Sequence, residues 1–195
     1  MVRWQPDASL RLSEAALSLY AERGFDATTV AEIAERAGLT KRTFFRYFAD
    51  KREVLFGGAG ELRELFVTAA AAAPASSTPI EAALAAGLGA AGEMFSERQD
   101  FARKRQAIIA ANPELQEREL IKLSSMAEAI AAALRGRGVS DQAATLAAQT
   151  AMTIFQVAFE RWVDQPDPHA LPRLISGALA ELQALTAPAP APLTG

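Results

Sequence analysis

The stretch TTVAEIAERAGLTKRTFFRYFADK, residues 28–51, decides the reading of this chain. Thr29 followed three residues later by Glu32 has the spacing of a capping box, in which hydroxyl and carboxylate each satisfy a backbone N–H left unpaired in a first helical turn. A helix therefore starts at Val30. Val30, Ile33, Ala34 and Ala37 fall on one face of it, while Glu32, Glu35 and Arg36 point away. Gly38 supplies the left-handed residue that ends such a helix, Leu39 can pack into the angle that follows, and Thr40 caps a second helix. In the second helix Phe44 and Phe48 share an inner face at i, i+4, so Arg42, Thr43, Phe45 and Arg46 turn outward. Arginines bind guanine edges or phosphates, threonine touches either, and an exposed phenylalanine packs on a thymine methyl. The two helices have the make-up of a device for reading a DNA major groove.

A blander reading has Phe45 packed on a neighbouring helix and the arginines merely solvated. Charge favours DNA. From Arg36 to Arg52 stand Arg36, Lys41, Arg42, Arg46, Lys51 and Arg52 against Asp50 alone, in a chain whose formal net charge is -3. Asp50 and Glu53 have the spacing of an N-cap and its capping-box partner for a further helix, and a lysine at position 51 opposes that helix dipole unless a phosphate lies beside it. The alternative for Lys51 is a solvated side chain held by Asp50 or Glu53.

From about Leu10 to Leu55 the sequence resembles the DNA-binding domain of the TetR family of transcriptional regulators. The aliphatic first helix LRLSEAALSLYAERGFDATTV, the helix-turn-helix AEIAERAGLTKRTFFRYF and the segment ADKREVL carry the resemblance. It implies an all-α protein: an N-terminal three-helix helix-turn-helix DNA-binding domain and a C-terminal helical ligand-binding and dimerisation domain, with ligand binding releasing the operator. Carried over by position, Thr29, Thr40, Lys41, Arg42, Thr43, Phe45, Arg46, Tyr47 and Lys51 are the expected DNA contacts. The boundaries read as residues 1–52 for the reading head, 53–186 for the second domain and 187–195 for a disordered tail, APAPAPLTG, which has no core-forming face.

The first helix buries Leu12, Ala16, Leu19 and Tyr20, and Gly24 stops it before Phe25 folds back; Arg3 and Trp4 precede it as a short arm. After Asp50 the spacing predicts helices at about Lys51 to Ala72, Pro79 to Glu97, Asp100 to Ala111, Pro113 to Arg135, Ser140 to Asp164 and Pro168 to Leu185. No cysteine, no signal peptide and no long uninterrupted apolar run point to a soluble cytoplasmic protein without disulfides. Beyond Gly60 the chain carries eleven basic and fifteen acidic residues, so the acidic balance belongs to the second domain.

Gly57, Gly58 and Gly60 open the expected fourth helix, where each costs about 0.8–1 kcal/mol relative to alanine, which suggests either a hinge or close helix packing. The segment 143–159, AATLAAQTAMTIFQVAF, holds no charge and must be covered on several sides. With the leucine-rich last helix it suggests a homodimer through Leu146, Ile154, Val157, Leu171, Leu174, Ile175, Ala178 and Leu182, placing two reading heads about 34–36 Å apart on a palindromic operator. Gly87, Gly89 and Gly92 thin one helix. Phe66, Met94, Phe95, Arg105, Met126, Phe155 and Phe159 are the candidate lining of an apolar ligand chamber, although each also reads as plain core or, for Arg105, a solvated helix face. FARKRQAIIAANPELQERELIKL resembles TetR regulators described as binding acyl-CoA-like ligands, and Arg103, Lys104 and Arg105 are its phosphate or carboxylate candidates.

Catalysis has little support. The lone His169 sits between prolines, no cysteine joins it in a metal site, and GLGAAG lies in a helical run with no strand before it. No cofactor, metal or membrane partner is expected. The sequence thus reads as a dimeric repressor released from double-stranded DNA by a small apolar or acyl-type ligand. The alternatives are a DNA-binding regulator with no small-molecule ligand and a helical enzyme.

Overall fold

The computed structural model describes residues 8–89 and 94–187, and every regular element among them is helical. In chain order these are α1 (Ala8–Arg23), α2 (Val30–Arg36), α3 (Lys41–Tyr47), a 3-10 turn (Glu53–Phe56), α4 (Ala59–Ala72), α5 (Pro79–Leu88), α6 (Gln99–Ala110), α7 (Pro113–Gly136), α8 (Asp141–Trp162) and α9 (Leu171–Thr186). Among the described residues no helix is long and apolar enough to cross a membrane. The arm at Arg3 and Trp4, Gly92 and the tail beyond Ala187 lie outside the described residues.

Two compact units divide the chain: Met1–Glu64 with Arg98–Met126, and Leu65–Glu97 with Ala127–Gly195. The first is built around Leu12, Ala16, Leu19 and Tyr20 of α1, Ile33 of α2, Phe44 of α3 and Phe48. Val54, Leu55 and Phe56 of the 3-10 turn join this core, as do Ile108, Ile109 and Leu115. The expected boundary after residue 52 therefore falls inside the first unit. The turn, α6 and the start of α7 bury their apolar side chains with the three N-terminal helices.

The second unit packs α5, α8 and α9 on one another. Small side chains let these helices approach: Ala82, Ala83, Ala144, Ala148, Ala151 and Ala158 are all buried. Gly87 marks the closest approach, since a Cβ there would lie 2.8 Å from Cδ1 of Ile175 and 3.6 Å from Cδ2 of Phe155. Arg137 closes α4 by donating to the carbonyls of Ala71, Ala73 and Pro74.

Two expected helices are revised. The helix expected from Lys51 to Ala72 is a 3-10 turn followed by α4, which starts only at Ala59. Gly57 and Gly58 thus lie between elements rather than inside a helix. A Cβ on Gly57 would meet the Phe48 ring at 3.0 and 3.3 Å, so close packing accounts for that glycine. The helix expected from Pro79 to Glu97 stops at Leu88, where Gly89 takes φ -120 and ψ -119; helical backbone is present again at 94–96.

Candidate nucleic-acid interface

α2 starts as its sequence dictates. The Thr29 hydroxyl accepts from the Glu32 N–H, and the Glu32 carboxylate accepts from the Thr29 N–H at 2.9 Å, completing the capping box. Gly38, at φ 65, ends the helix: its N–H donates to Glu35 and that of Leu39 to Ala34, the pair of bonds that satisfies a helix C-terminus. Thr40 then caps α3 by accepting from the Thr43 N–H at 3.1 Å.

α3 is held from inside by Phe44, fully buried, and by Phe48 at its C-cap, with ring centroids 5.6 Å apart. Its outer face carries Lys41, Arg42, Phe45, Arg46 and Tyr47, all exposed, with Thr43 half-buried. Phe45 is 56% exposed, an unusual place for so apolar a ring, and it stands edge-on to Phe44. Arg46 donates to the Tyr47 hydroxyl at 3.1 Å and lies 4.9 Å above that ring.

The six cations of this stretch separate into two groups. Arg36 makes a two-bond pair with Glu22 of α1, both at 2.8 Å, and Arg52 pairs with Asp50. The Arg52 guanidinium holds the Asp50 carboxyl below its ordinary range. Lys51 donates to three backbone carbonyls, of Phe25 (2.8 Å), Asp26 (3.3 Å) and Thr28 (3.2 Å), and sits 4.3 Å over the Phe25 ring. An ammonium has three protons, so this set occupies them all. The Lys51 carbonyl in turn accepts from Tyr20 at 2.6 Å, and burial, aided by Asp50, pushes that phenol up. Lys51 is thus placed as a strap across the two ends of the helix-turn-helix instead of toward a phosphate. Among the described residues, Lys41, Arg42 and Arg46 have no carboxylate partner, and all three are on α3.

The expected pairing of Asp50 with Glu53 is half right. Asp50 does accept from the N–H groups of Arg52 and Glu53, although the 3-10 turn that follows has Arg52 at its N-cap. Glu53 does not reach back; its carboxylate accepts from Arg118 and from Lys122 (2.9 Å) of α7. Sequence reasoning missed three further anchors: Arg11 donates to the Ala37 carbonyl, Ser13 to that of Val54 at 3.0 Å, and Thr28 to that of Gly24 at 2.8 Å. Their acceptors are main-chain atoms, which leave no residue-type signal.

Comparison with known proteins follows this geometry. Residues 12–56 match the model of bacterial regulatory proteins, tetR family, and residues 77–187, more than half of the chain, match the MftR C-terminal domain. The chain belongs to the TetR family of bacterial regulatory proteins. Among TetR relatives it is 30% identical over 160 residues to a Mycobacterium tuberculosis protein named as a mycofactocin biosynthesis transcriptional regulator, MftR, covering 78% of each chain. It is 39% identical over 72 residues to the HTH-type transcriptional regulator TcmR of Streptomyces glaucescens, a match spanning 37% of this chain and 32% of TcmR. Thermus thermophilus FadR, a TetR-family transcriptional repressor solved with lauroyl-CoA, shares the fold: TM-score 0.52, 23% identity, 96% of this chain and 99% of that one.

The other expected site residues of this TetR chain fall in several places. Phe66, Phe95, Phe155 and Phe159 come together in the second unit, joined by Trp162, with neighbouring centroids 5.3–6.0 Å apart. Met94 is half-buried, close in sequence to Phe95. Met126 belongs to the first unit. Arg105 also lies there and is no part of the aromatic group. It donates to the Leu55 carbonyl at 2.7 Å and to Glu119 at 2.9 Å, and lies 4.8 Å over the Phe56 ring. Burial lowers its guanidinium pKa and Glu119 pushes back. Arg103 pairs with Asp100, while Lys104 is exposed. Of the expected dimer residues, Leu171 and Ile175 are fully buried, and Ile154 and Ala178 nearly so, because α5, α8 and α9 pack on one another. Leu146 and Val157 are exposed, and Leu174 and Leu182 half-buried. His169 is exposed, its N–H donating to Asp167.

Proposed function

We propose that this chain is a homodimeric, sequence-specific DNA-binding repressor that an apolar, acyl-type ligand releases from a palindromic operator. The observation that carries the reading is the outer face of α3, where Lys41, Arg42 and Arg46 flank the exposed Phe45 without a carboxylate partner among the described residues. Unpaired cations around an apolar ring suit a groove lined by phosphates, guanine edges and thymine methyls. Thr29, Thr40 and Thr43 spend their hydroxyls on caps, so their contribution is to fix α2 and α3 in place. Tyr47 is the phosphate candidate at the end of α3.

The ligand reading is supported by the aromatic group of Phe66, Phe95, Phe155, Phe159 and Trp162 and by the fold shared with FadR, which was solved with lauroyl-CoA. The likeness to MftR makes a biosynthetic operon the natural target. Dimerisation is supported by the exposed Leu146 (61%), Val157 and Leu185 on α8 and α9.

Footprinting on the DNA upstream of the chain's own gene tests the reading. A protected palindrome, released on adding lauroyl-CoA, is expected. Operator binding indifferent to acyl-CoA would point to the regulator without a small-molecule ligand, and weak, salt-labile, sequence-independent binding would contradict operator recognition altogether.

A further inference from the structure

The first compact unit holds more than the three N-terminal helices: α6 and the first half of α7 are built into it. What joins them to the reading head is a set of charges centred on the 3-10 turn. Glu53 opens that turn with a side chain only 16% exposed, and its two carboxylate oxygens are taken separately, Oε1 by Arg118 and Oε2 by Lys122 of α7. Two residues further, the Leu55 carbonyl accepts from Arg105 of α6, whose guanidinium also lies over Phe56 and is held by Glu119 of α7. Burial pushes the Glu53 carboxyl up, but Lys122 and Arg118 outweigh it and hold the group charged.

The turn leads directly back to α3. Gly57 lies against the ring of Phe48, the C-cap of α3, and Tyr47, Phe48 and Glu53 line one open depression of about 540 Å³. α7 is a single helix from Pro113 to Gly136.

We propose that Glu53 is a positioning residue for DNA binding: through its pairs with Arg118 and Lys122, α7 sets the turn on which the end of α3 rests. This rests on the DNA-binding reading above but not on the identity, or existence, of a ligand. None of the three side chains belongs to the α3 surface that faces DNA in that reading.

The test is operator affinity of the full chain, measured without ligand, for Glu53→Gln, for Arg118→Gln with Lys122→Gln, and for all three together. Long-range electrostatics alone predicts opposite signs, since losing a carboxylate tightens DNA binding and losing two cations weakens it. A latch made by the Glu53 pairs with Arg118 and Lys122 predicts that both weaken it, each by about tenfold, that the triple variant is no worse than either, and that the salt dependence is unchanged by Glu53→Gln. Exchanging the charges, Glu53→Lys with Lys122→Glu and Arg118→Glu, should recover most of the lost affinity, which long-range electrostatics alone would not allow, since the exchange makes the chain more negative. Unchanged or tighter binding by Glu53→Gln, or additive effects in the triple variant, would overturn the proposal. Wild-type binding is the separate control: its absence counts against the function proposed above, whereas the latch is judged on ratios between variants.

Discussion

Arg42 and Arg46 stand one helical turn apart on α3, exposed and without carboxylate partners among the described residues. A bidentate arginine–guanine contact discriminates by about 1–3 kcal/mol, so Arg42→Ala or Arg46→Ala should reduce the Kd ratio between operator and scrambled DNA by tenfold or more, read by fluorescence anisotropy. Lys51 separates two roles by the same assay. A phosphate contact would flatten the slope of log K against log salt by about 0.9 on removal, whereas the strap seen here predicts an unchanged slope and a lower Tm for Lys51→Met. Leaving the carbonyls of Phe25, Asp26 and Thr28 without their donor removes bonds that span 23–26 residues of chain. That span is also why the strap was not legible. Thr29 with Glu32, Gly38 and Thr40 could be read because capping partners lie within a few residues and depend on side-chain type. Lys51 reaches main-chain oxygens far back in the chain, and Arg36 reaches Glu22 fourteen residues away. A charge count over Arg36 to Arg52 therefore overstated the free positive charge, which in this stretch is left on α3 at Lys41, Arg42 and Arg46.

Helix positions were mostly legible, since proline, glycine and apolar periodicity act locally, as at Pro79 or Pro113. The segment after Lys51 was not. A capping signal at Asp50 promises a helix, but Gly57 packs on Phe48 and Glu53 turns to α7, so a 3-10 turn forms instead. This turn should leave an acid-dependent signature. Glu53 has a folded-state pKa held below the ordinary 4.5, so its stabilisation is complete above that ordinary value and is lost as pH falls through the lowered folded value. Thermal denaturation should show Glu53→Gln less stable than wild type at pH 7, with the gap closing as pH falls below 4.5 and through the lowered folded value; a gap independent of pH would argue against the charged pairs. Packing between α5 and α9 offers a second measurement. Gly87→Ala places a Cβ 2.8 Å from the Ile175 terminus, and overpacking of this kind costs about 1–3 kcal/mol, read as a lower midpoint in urea.

At the scale of the whole molecule, one α3 is too short to select an operator. Its seven residues suffice for one half-site, and the proposed twofold dimer would supply the second. The sequence suggested α8 and α9 as interface helices, yet could not tell their two sides apart. Ile154, Leu171 and Ile175 answer to the subunit's own core, and Leu146 and Val157 to the outside, because both sides are apolar and only packing separates them. Leu146→Glu with Val157→Glu should shift the sedimenting species from dimer to monomer and abolish cooperative operator binding, while leaving helical content unchanged by circular dichroism. The central claim is that the α3 face of this TetR-family chain reads a specific DNA sequence. It is tested most directly by footprinting the region upstream of its gene with wild type and with the Arg42→Ala, Arg46→Ala double variant. The account predicts two protected half-sites about 10–10.5 base pairs apart, or a multiple of that, seen with wild type and lost in the variant. Equal protection by both proteins, or no sequence-dependent protection by either, would contradict it.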